Sequence, residues 1–526
     1  MIAGRRDVAV NVVWNWLGHG ITLLVGLYVA RFIVDQLGPT ITGAWVLLGA
    51  IMGYYGLFNL GVDSAVVRHI SKHLASNDGN ELRRTLAAAQ AFFLAASGFV
   101  LLISITLAAV FRYGDSVTSR LFTLPPELKQ DFALLLLIMG MGSAVSMCAR
   151  VHAGCIRAAE RYDVVNAIHV AVCVGRAGAV VLFMRGSLLA LGAIFAMFSV
   201  LGSIAHIVAA KHLLPNLNTD LAKPRLEVLK EIGGYGMFAF LTSIADQFRF
   251  HTDAIVIGHF LPMGQVTFYN FGNMLVTHFR HVIGKFAGPF FPLFSRHESR
   301  NDRTAMAQTF LIASKAAALL SAIGAGSLIG IGRPFLSWWL GDAIGEDNVL
   351  LSYKVLVILT APFMIGLCQA VSISVLYGTS KHAYLAGLTG FEGIMNLALS
   401  VVLVRCYGIL GVAAGTAIPM LFTKLLLQPR YVCRTVEVPT LTYMVRCILV
   451  PLLFATVLAA IQYATCFTLA SIGIVAILAI AGTSSCLILP IAYRLMFTHE
   501  ERERLWRVLS KVRSLLRQSR RDRNSF

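Results

Sequence analysis

The residues of this chain able to do chemistry are ionisable side chains set inside long apolar stretches. Asp246, Arg249 and Asp253 are spaced i, i+3 and i+7, which on a continuous helix puts all three on one face. Their alternating sign makes that face either a self-neutralising ladder or a set of groups coupled to ion movement. Further on, His278, Arg280, His281 and Lys285 bring positive charge with no acid among them, and positions 278, 281 and 285 share a stripe. Such cations hold phosphate oxygens through charge-assisted hydrogen bonds, and an arginine makes two at once. The competing reading is snorkelling toward an interface, easier for Lys285 than for Arg280. Arg176 shares a stripe with Asn166, His169 and Cys173 and has no acid within one turn. Glu392, with Asn396 one turn on, is a candidate ion or proton carrier, or else the partner of Lys315, Lys354 or Lys424. Asn11, Asn15 and His19 repeat every four residues. They line a cavity or serve as interhelical hydrogen-bond partners, each worth about 1 kcal/mol. Arg31 and Arg68 fall at the ends of apolar stretches, where snorkelling accounts for them.

The elements that position these groups are membrane-length helices. A helix rises about 1.5 Å per residue and the hydrocarbon core is about 30 Å thick, so ~20 apolar residues span it. About fourteen stretches meet that criterion. Six lie near Val8–Val34, Ile41–Asp63, Thr85–Phe111, Phe132–Ile156, Val164–Met184 and Ser187–His212. A polar linker from Leu213 to Lys230 precedes Glu231–Phe260, Gln265–Phe294, Ala305–Gly332, Leu350–Tyr377, Ala383–Cys406 and Ile409–Leu427. Two more follow near Tyr443–Cys466 and Leu469–Met496. The expected fold is therefore all-α and polytopic.

Composition agrees, with 57% hydrophobic and 13% charged residues, where soluble domains carry roughly 25% charged. The net charge of +18 would point to nucleic acid in a soluble protein. Here the cations sit in loops and the C-terminal segment, which argues against nucleic-acid binding. The nine cysteines form no C-x-x-C pair, so no metal site, cofactor or disulfide framework is expected. Arg5 and Arg6 precede an apolar run too long for a signal peptide, with no cleavage site after it, so that run should stay as the first span. No G-x-x-x-x-G-K-[ST] loop occurs, so this chain is not an ATPase by that motif.

Lys and Arg concentrate in alternate loops: Arg68, Arg83 and Arg84; Arg150, Arg157 and Arg161; Lys211, Lys223 and Arg225; Arg296, Arg300 and Arg303; Arg430 and Arg434. The opposite loops are sparser, and that around Gly341 is acidic, with Asp342, Glu346 and Asp347. By the positive-inside rule both termini are cytoplasmic. Two segment matches at nearly one offset indicate a duplication: Leu37–Trp45 on Leu261–Tyr269, and Gly186–Gly192 on Gly408–Ala414. Six helices per repeat make the halves parallel, and such halves flank a central path. After Thr498, Leu505, Leu509, Val512 and Leu516 recur at helical spacing among many arginines. That is a basic amphipathic helix suited to anionic membrane lipids.

Arg31 to Gly38, Gly43 to Trp45 and Phe58 to Gly61 through Arg68 resemble the opening of bacterial polysaccharide-export flippases. Asp253 to Gly258 with Tyr269 and Asn270 resembles the start of their second half. Asn396 with Tyr407 to Gly411 resembles a late signature of the same group. These proteins belong to the superfamily that includes multidrug/toxin extruders and the lipid II flippase. The resemblance spans roughly the whole chain. It implies two parallel six-helix lobes, Met1–His212 and Leu213–Arg430, with two added helices over residues 431–497 and the tail over 498–526. It also implies a central cavity that opens alternately to either side and a cargo of oligosaccharide linked through pyrophosphate to a polyprenyl lipid, moved from the cytoplasmic to the outer leaflet of a bacterial inner membrane. Partner enzymes would be a polysaccharide polymerase and glycosyltransferases.

On that reading Arg280, Arg249, Arg176, Lys285, His278 and His281 are substrate-binding candidates, and Asp246, Asp253 and Glu392 are ion-coupling candidates. The nearest rival is a cation-coupled multidrug extruder, whose cavity acids should dominate. A membrane polymerase or glycosyltransferase would need larger extramembrane loops or clustered acids, so the chain is not expected to be an enzyme. The topology is checked by labelling a cysteine introduced between Asp342 and Asp347. It should react from outside intact cells, and reaction only after permeabilisation would overturn the orientation.

Overall fold

A computed structural model of the chain describes residues 5–59, 62–76, 79–114, 118, 121–214, 244, 246–249, 251–469 and 473–504. For residues 5–17, 64–65, 73–76, 79 and 382 it describes the backbone alone. The protein is all-α, with no strand among the described residues. Ten helices among them are long and apolar enough to cross a membrane. Two of these each hold a pair of predicted spans, Gly18–Asn59 with 42 residues and Ala383–Thr435 with 53. Helices dominate because lipid offers no partner for a free backbone N–H or C=O.

The chain divides into two compact units, Met1–Asn270 with Val401–Val412, and Phe271–Ser400 with Ala413–Phe526. In the first, α1 (Arg5–Tyr54) breaks at Gly38, whose φ of 73° and ψ of 170° no L side chain adopts without strain. Pro39 follows and lacks the N–H that would continue the ladder. The second predicted span, drawn to Asp63, ends instead at Tyr54 and passes through a 3₁₀ turn, Tyr55–Asn59, before α2 (Val62–Ser76). Then come α3 (Gly79–Tyr113), α4 (Pro126–Ala158), α5 (Tyr162–Phe183), α6 (Leu188–Leu213) and α7 (Thr252–Phe260). Helix α4 packs against both α3 and α6. A Cβ on Gly140 would lie 2.1 Å from Ser104 Oγ and 2.5 Å from Ser104 Cβ, so this close crossing requires glycine. Arg31, at the end of the first predicted span, pairs with Asp35 at 3.5 Å.

Helix α8 (Met263–Ala287) begins in the first unit's sequence and ends in the second's. The predicted span Gln265–Phe294 stops at Ala287 because Pro289 enforces a 3₁₀ turn, after which α9 covers Phe291–Ser299. Helix α10 (Arg303–Ile344) is capped by Asp302, which accepts from the Ala305 backbone N–H at 2.9 Å. At 42 residues it extends roughly 60 Å, twice the hydrocarbon thickness. The acidic segment predicted as a loop is therefore largely helical: Asp342 ends α10, Gly345 turns with φ 79°, and Glu346 opens α11 (Glu346–Cys368). Helices α12 (Ala370–Gly378) and α13 (His382–Phe422) follow, the latter broken at Gly408 with φ 58°.

After α14 (Gln428–Thr435) and α15 (Thr440–Met444), the unit closes with α16 (Val450–Thr468) and α17 (Ile474–Met496). Gly326 and Gly330 of α10 meet α16 closely. A Cβ on either would come within 2.8 Å of Ala455 O or 2.7 Å of Gln462 Cβ.

The start of the C-terminal segment is pinned. The Thr498 backbone N–H donates to Glu501 Oε2 at 2.9 Å and the Glu501 N–H returns to Thr498 Oγ1 at 3.4 Å, a reciprocal cap. Glu501 also accepts from Lys315 Nζ at 2.7 and 2.8 Å, and the Lys315 side chain is 0% exposed. Leu505 onward, which carries the predicted amphipathic pattern, lies outside the described residues, as does half of Glu231–Phe260.

Burial alone would raise the Glu501 carboxyl, but the bonds from Lys315 and Thr498 outweigh it and hold the group below its usual range. A lowered carboxylate stabilises the fold fully above its unfolded value and loses that contribution as pH falls through the folded one. Glu501→Gln leaves Lys315 charged and buried and should cost about 3 kcal/mol. Thermal unfolding in detergent micelles checks this. The wild type should lose stability on acidification below the ordinary carboxylate range, and the variant should lose less.

Candidate functional site

In the first unit Arg176 lines an intramembrane cavity of about 290 Å³ formed by α1, α5 and α6. Thr22, His169, Cys173 and Phe195 share its wall. The predicted stripe on α5 thus delivers three of its four members, His169, Cys173 and Arg176, to one hollow. The Arg176 guanidinium lies 4.3 Å over the Phe195 ring. Among the described residues it makes no ion pair. Stacking on an aromatic face stabilises the cation and leaves its N–H donors directed along its own plane. His19 is described and half-buried, while the Asn11 and Asn15 side chains lie outside the described residues.

Asp246 and Arg249 precede α7. His251, whose N–H donates to the Gln247 carbonyl at 3.0 Å, leads into that helix, and Asp253 sits in its first turn. Asp246 is exposed, whereas Arg249 and Asp253 are 8% and 5% exposed, so the three do not share one environment. The Tyr269 hydroxyl donates to Asp253 Oδ2 at 2.5 Å, and nearby Tyr54 and Thr252 hydroxyls are 2.8 Å apart.

In the second unit α8 is amphipathic. Phe279 and Ile283 enter the core, where a Cβ on Gly324 would strike the Phe279 ring. His281 and Lys285 are exposed, and His278 and Arg280 are half-buried. Arg280 lies 5.9 Å over the Phe363 ring, with Nη2 3.4 Å from His281 Nε2.

Glu392 is resolved among the three lysines considered for it: its Oε1 is 3.1 Å from Lys424 Nζ, with side chains 2% and 7% exposed. Lys315 belongs to Glu501, and Lys354 is exposed. The Thr423 hydroxyl also donates to Glu392, Lys424 donates to Gln428 Oε1 at 2.7 Å, and Gln369 donates to the Lys424 carbonyl at 2.5 Å. Asn396 accepts from Ser400 and Thr416 at 2.8 and 3.2 Å. Lys424 occupies a π-helical turn, Thr423–Leu427, which realigns the side chains of the last part of that span.

The sequence reading missed Phe195, Phe363, Tyr269, Thr423, Gln369 and Gln428 as partners. Only the polar ones carried a signal: Gln428 stands four residues from Lys424, and Gln369 interrupts an apolar run. Aromatic partners on other helices have none, because apolar spans are rich in phenylalanine throughout.

Cations on aromatic platforms thus stand within the helical bundle of a multi-pass membrane protein. Residues 5–298 match the polysaccharide biosynthesis protein family, more than half of the chain, and the protein belongs to that family. A Shigella flexneri protein described as an O-antigen transporter is 22% identical over 434 residues, covering 80% of this chain and 97% of its own. A Haloferax volcanii protein described as a flippase of low-salt glycan biosynthesis is 24% identical over 408 residues, covering 77% and 78%. Among solved structures, the lipid II flippase MurJ in an inward closed conformation superposes with a TM-score of 0.68 at 13% identity, over 92% of this chain and 99% of that one. An inward-facing multidrug resistance MATE transporter superposes at 0.62 and 14% identity, over 79% and 94%. These two likenesses establish the fold.

The Glu392–Lys424 pair generates a prediction that separates structure from coupling. Lys424→Met alone should cost about 3 kcal/mol by stranding Glu392, and Glu392→Gln with Lys424→Met should regain most of it. Detergent melting curves and transport by the double variant are the readouts. A stable double variant that transports normally assigns the pair to the fold, and a stable one that does not transport assigns it to coupling.

Proposed function

We propose that the protein is a flippase that moves a polyprenyl-pyrophosphate-linked oligosaccharide from the cytoplasmic to the outer leaflet of the bacterial inner membrane, for cell-surface polysaccharide. The observation that carries this reading is Arg176, a half-buried arginine facing an intramembrane cavity, with an aromatic platform and no carboxylate partner among the described residues, in a chain of the polysaccharide biosynthesis family. A pyrophosphate leaving water loses its hydration and needs such donors. The O-antigen transporter and glycan flippase relatives support the same cargo class.

In this reading two parallel six-helix lobes, Met1–His212 and Leu213–Arg430, work by alternating access, with both termini cytoplasmic. Residues 431–497 are added helices, and residues 498–526 hold a basic tail. Arg176, Arg249, Arg280, Lys285, His278 and His281 form a cationic path, and Asp246, Asp253 and Glu392 are the groups through which an ion could couple. A polysaccharide polymerase and glycosyltransferases are the expected partner enzymes. The likeness to multidrug transporters favours a second reading, an extruder of cations. It predicts acids at the cavity wall, where the hollow around Arg176 has none.

Arg280→Ala should reduce export at least tenfold, equivalent to about 1.4 kcal/mol of lost binding. Arg280→Lys should recover part of it by restoring charge without the fork. Complementation of a flippase-deficient strain, with protein levels measured, is the test. Wild-type export by Arg280→Ala would remove this residue from the path.

A further inference from the structure

A second cationic hollow, in the second unit, shares no lining residue with the proposed path. Arg446, Arg494 and Arg502 line a cleft of about 340 Å³ whose floor includes Met496 and Phe497, 4% and 3% exposed. The three come from separate elements: the π-helical turn Val445–Leu449, the last turn of α17, and the segment that starts at Thr498. The reciprocal Thr498–Glu501 cap and the buried Lys315 fix where that segment leaves α17, so Arg502 is brought to the other two by the fold.

Nothing among the described residues neutralises this group. Glu501 is taken by Lys315, and Glu503 lies 3.3 Å from His499. The polar contact of Arg502 is its Nε donating to the Thr498 carbonyl at 3.4 Å. One arginine at the C-terminus of α17 complements the helix dipole, but that accounts for Arg494 alone. Three guanidiniums converging on one hollow repel one another until an anion joins them, and their planar forks suit phosphate oxygens.

The place of the cleft narrows the ligand. Helix α17 is a membrane-length apolar helix and Thr498 begins a polar segment, so the cleft sits where hydrocarbon gives way to water. Leu495, itself in the cleft wall, is 71% exposed, and Leu449 and Leu453 beside Arg446 are 49% and 66% exposed. An apolar, lipid-facing surface therefore continues from a phosphate-sized cationic hollow. We infer that this cleft binds the headgroup phosphate of an anionic glycerophospholipid, whose acyl chains lie along Leu449, Leu453 and Leu495.

The test uses the purified full-length chain and native mass spectrometry, comparing retained phosphatidylglycerol with phosphatidylcholine. Wild type should retain the anionic lipid on the order of tenfold better, as expected for several cations acting at a membrane surface. Arg446→Gln/Arg494→Gln/Arg502→Gln should abolish the preference, and Arg513→Gln/Arg517→Gln/Arg520→Gln, in the basic tail, should keep it. Preference surviving in the first variant, or lost only in the second, would overturn the assignment. Displacement of the lipid by equimolar inorganic phosphate or diphosphate would also overturn it, since the site would then be one for a free anion. Should the triple variant fail to fold, wild type with a diazirine-bearing phosphatidylglycerol decides. Crosslinks should map to residues 441–453 and 491–497, and crosslinks confined elsewhere would refute the site.

Discussion

Burying charge inside an apolar helical bundle is the constraint on which this structure turns. An ion stripped of water costs several kcal/mol even after relaxation, so each buried one must find a partner of fixed geometry. Lys315, at 0% exposure, ties the first third of α10 to Glu501 in the segment beyond α17. Lys424 ties the π turn after α13 to Glu392 within α13, and Gln369, at the junction of α11 and α12, holds the Lys424 carbonyl. These bonds set which turn of one helix faces which turn of another. Apolar packing around them, such as Phe310 stacked on Tyr443 at 5.1 Å, is compatible with several registers, whereas a buried ion pair is not.

A second kind of partner serves other cations. Arg176 lies over Phe195, Arg280 over Phe363 and Arg405 over Phe260, at 4.3, 5.9 and 5.3 Å. A ring quadrupole attracts the cation without neutralising its charge, and it takes up the face of the guanidinium rather than its edge. The distinction has functional content. A carboxylate-paired lysine has its charge met by an acid of the same bundle, whereas ring stacking leaves the charge of a guanidinium in place. Arginine suits such stacking better than lysine, whose compact ammonium is held more tightly by water.

Much of the architecture was legible in the sequence because membrane spans are declared by length and hydropathy. The breaks at Gly38 and Gly408 fell between predicted spans, as expected where glycine stands in apolar runs near polar residues. What the sequence hid was continuity and partnership. Residues 333 to 344 read as a loop because Arg333 and Asp342 lower the hydropathy, yet α10 runs through them, Pro334 included. The face drawn through Asp246, Arg249 and Asp253 holds one exposed and two buried side chains, a difference that spacing does not carry. For Glu392, three lysines were equivalent by composition. The choice among them depends on which helices pack together, information spread over the whole bundle rather than carried by local residues.

The two segment matches from which a duplication is expected both fall at turns. Gly186 precedes α6 with φ 70°, and its counterpart Gly408 has φ 58°. Leu37 ends a helical stretch before Gly38 and Pro39, and its counterpart Leu261 ends α7 before Pro262 and the start of α8. Within a span, one aliphatic residue replaces another at little cost, because lipid and neighbouring helices are equally apolar. A left-handed backbone position is far less forgiving, since any Cβ there meets the following carbonyl. Helix interiors can therefore diverge until no similarity remains while the joints stay fixed. In a chain of this kind, internal symmetry is better sought in the residues that stop helices than in those that build them.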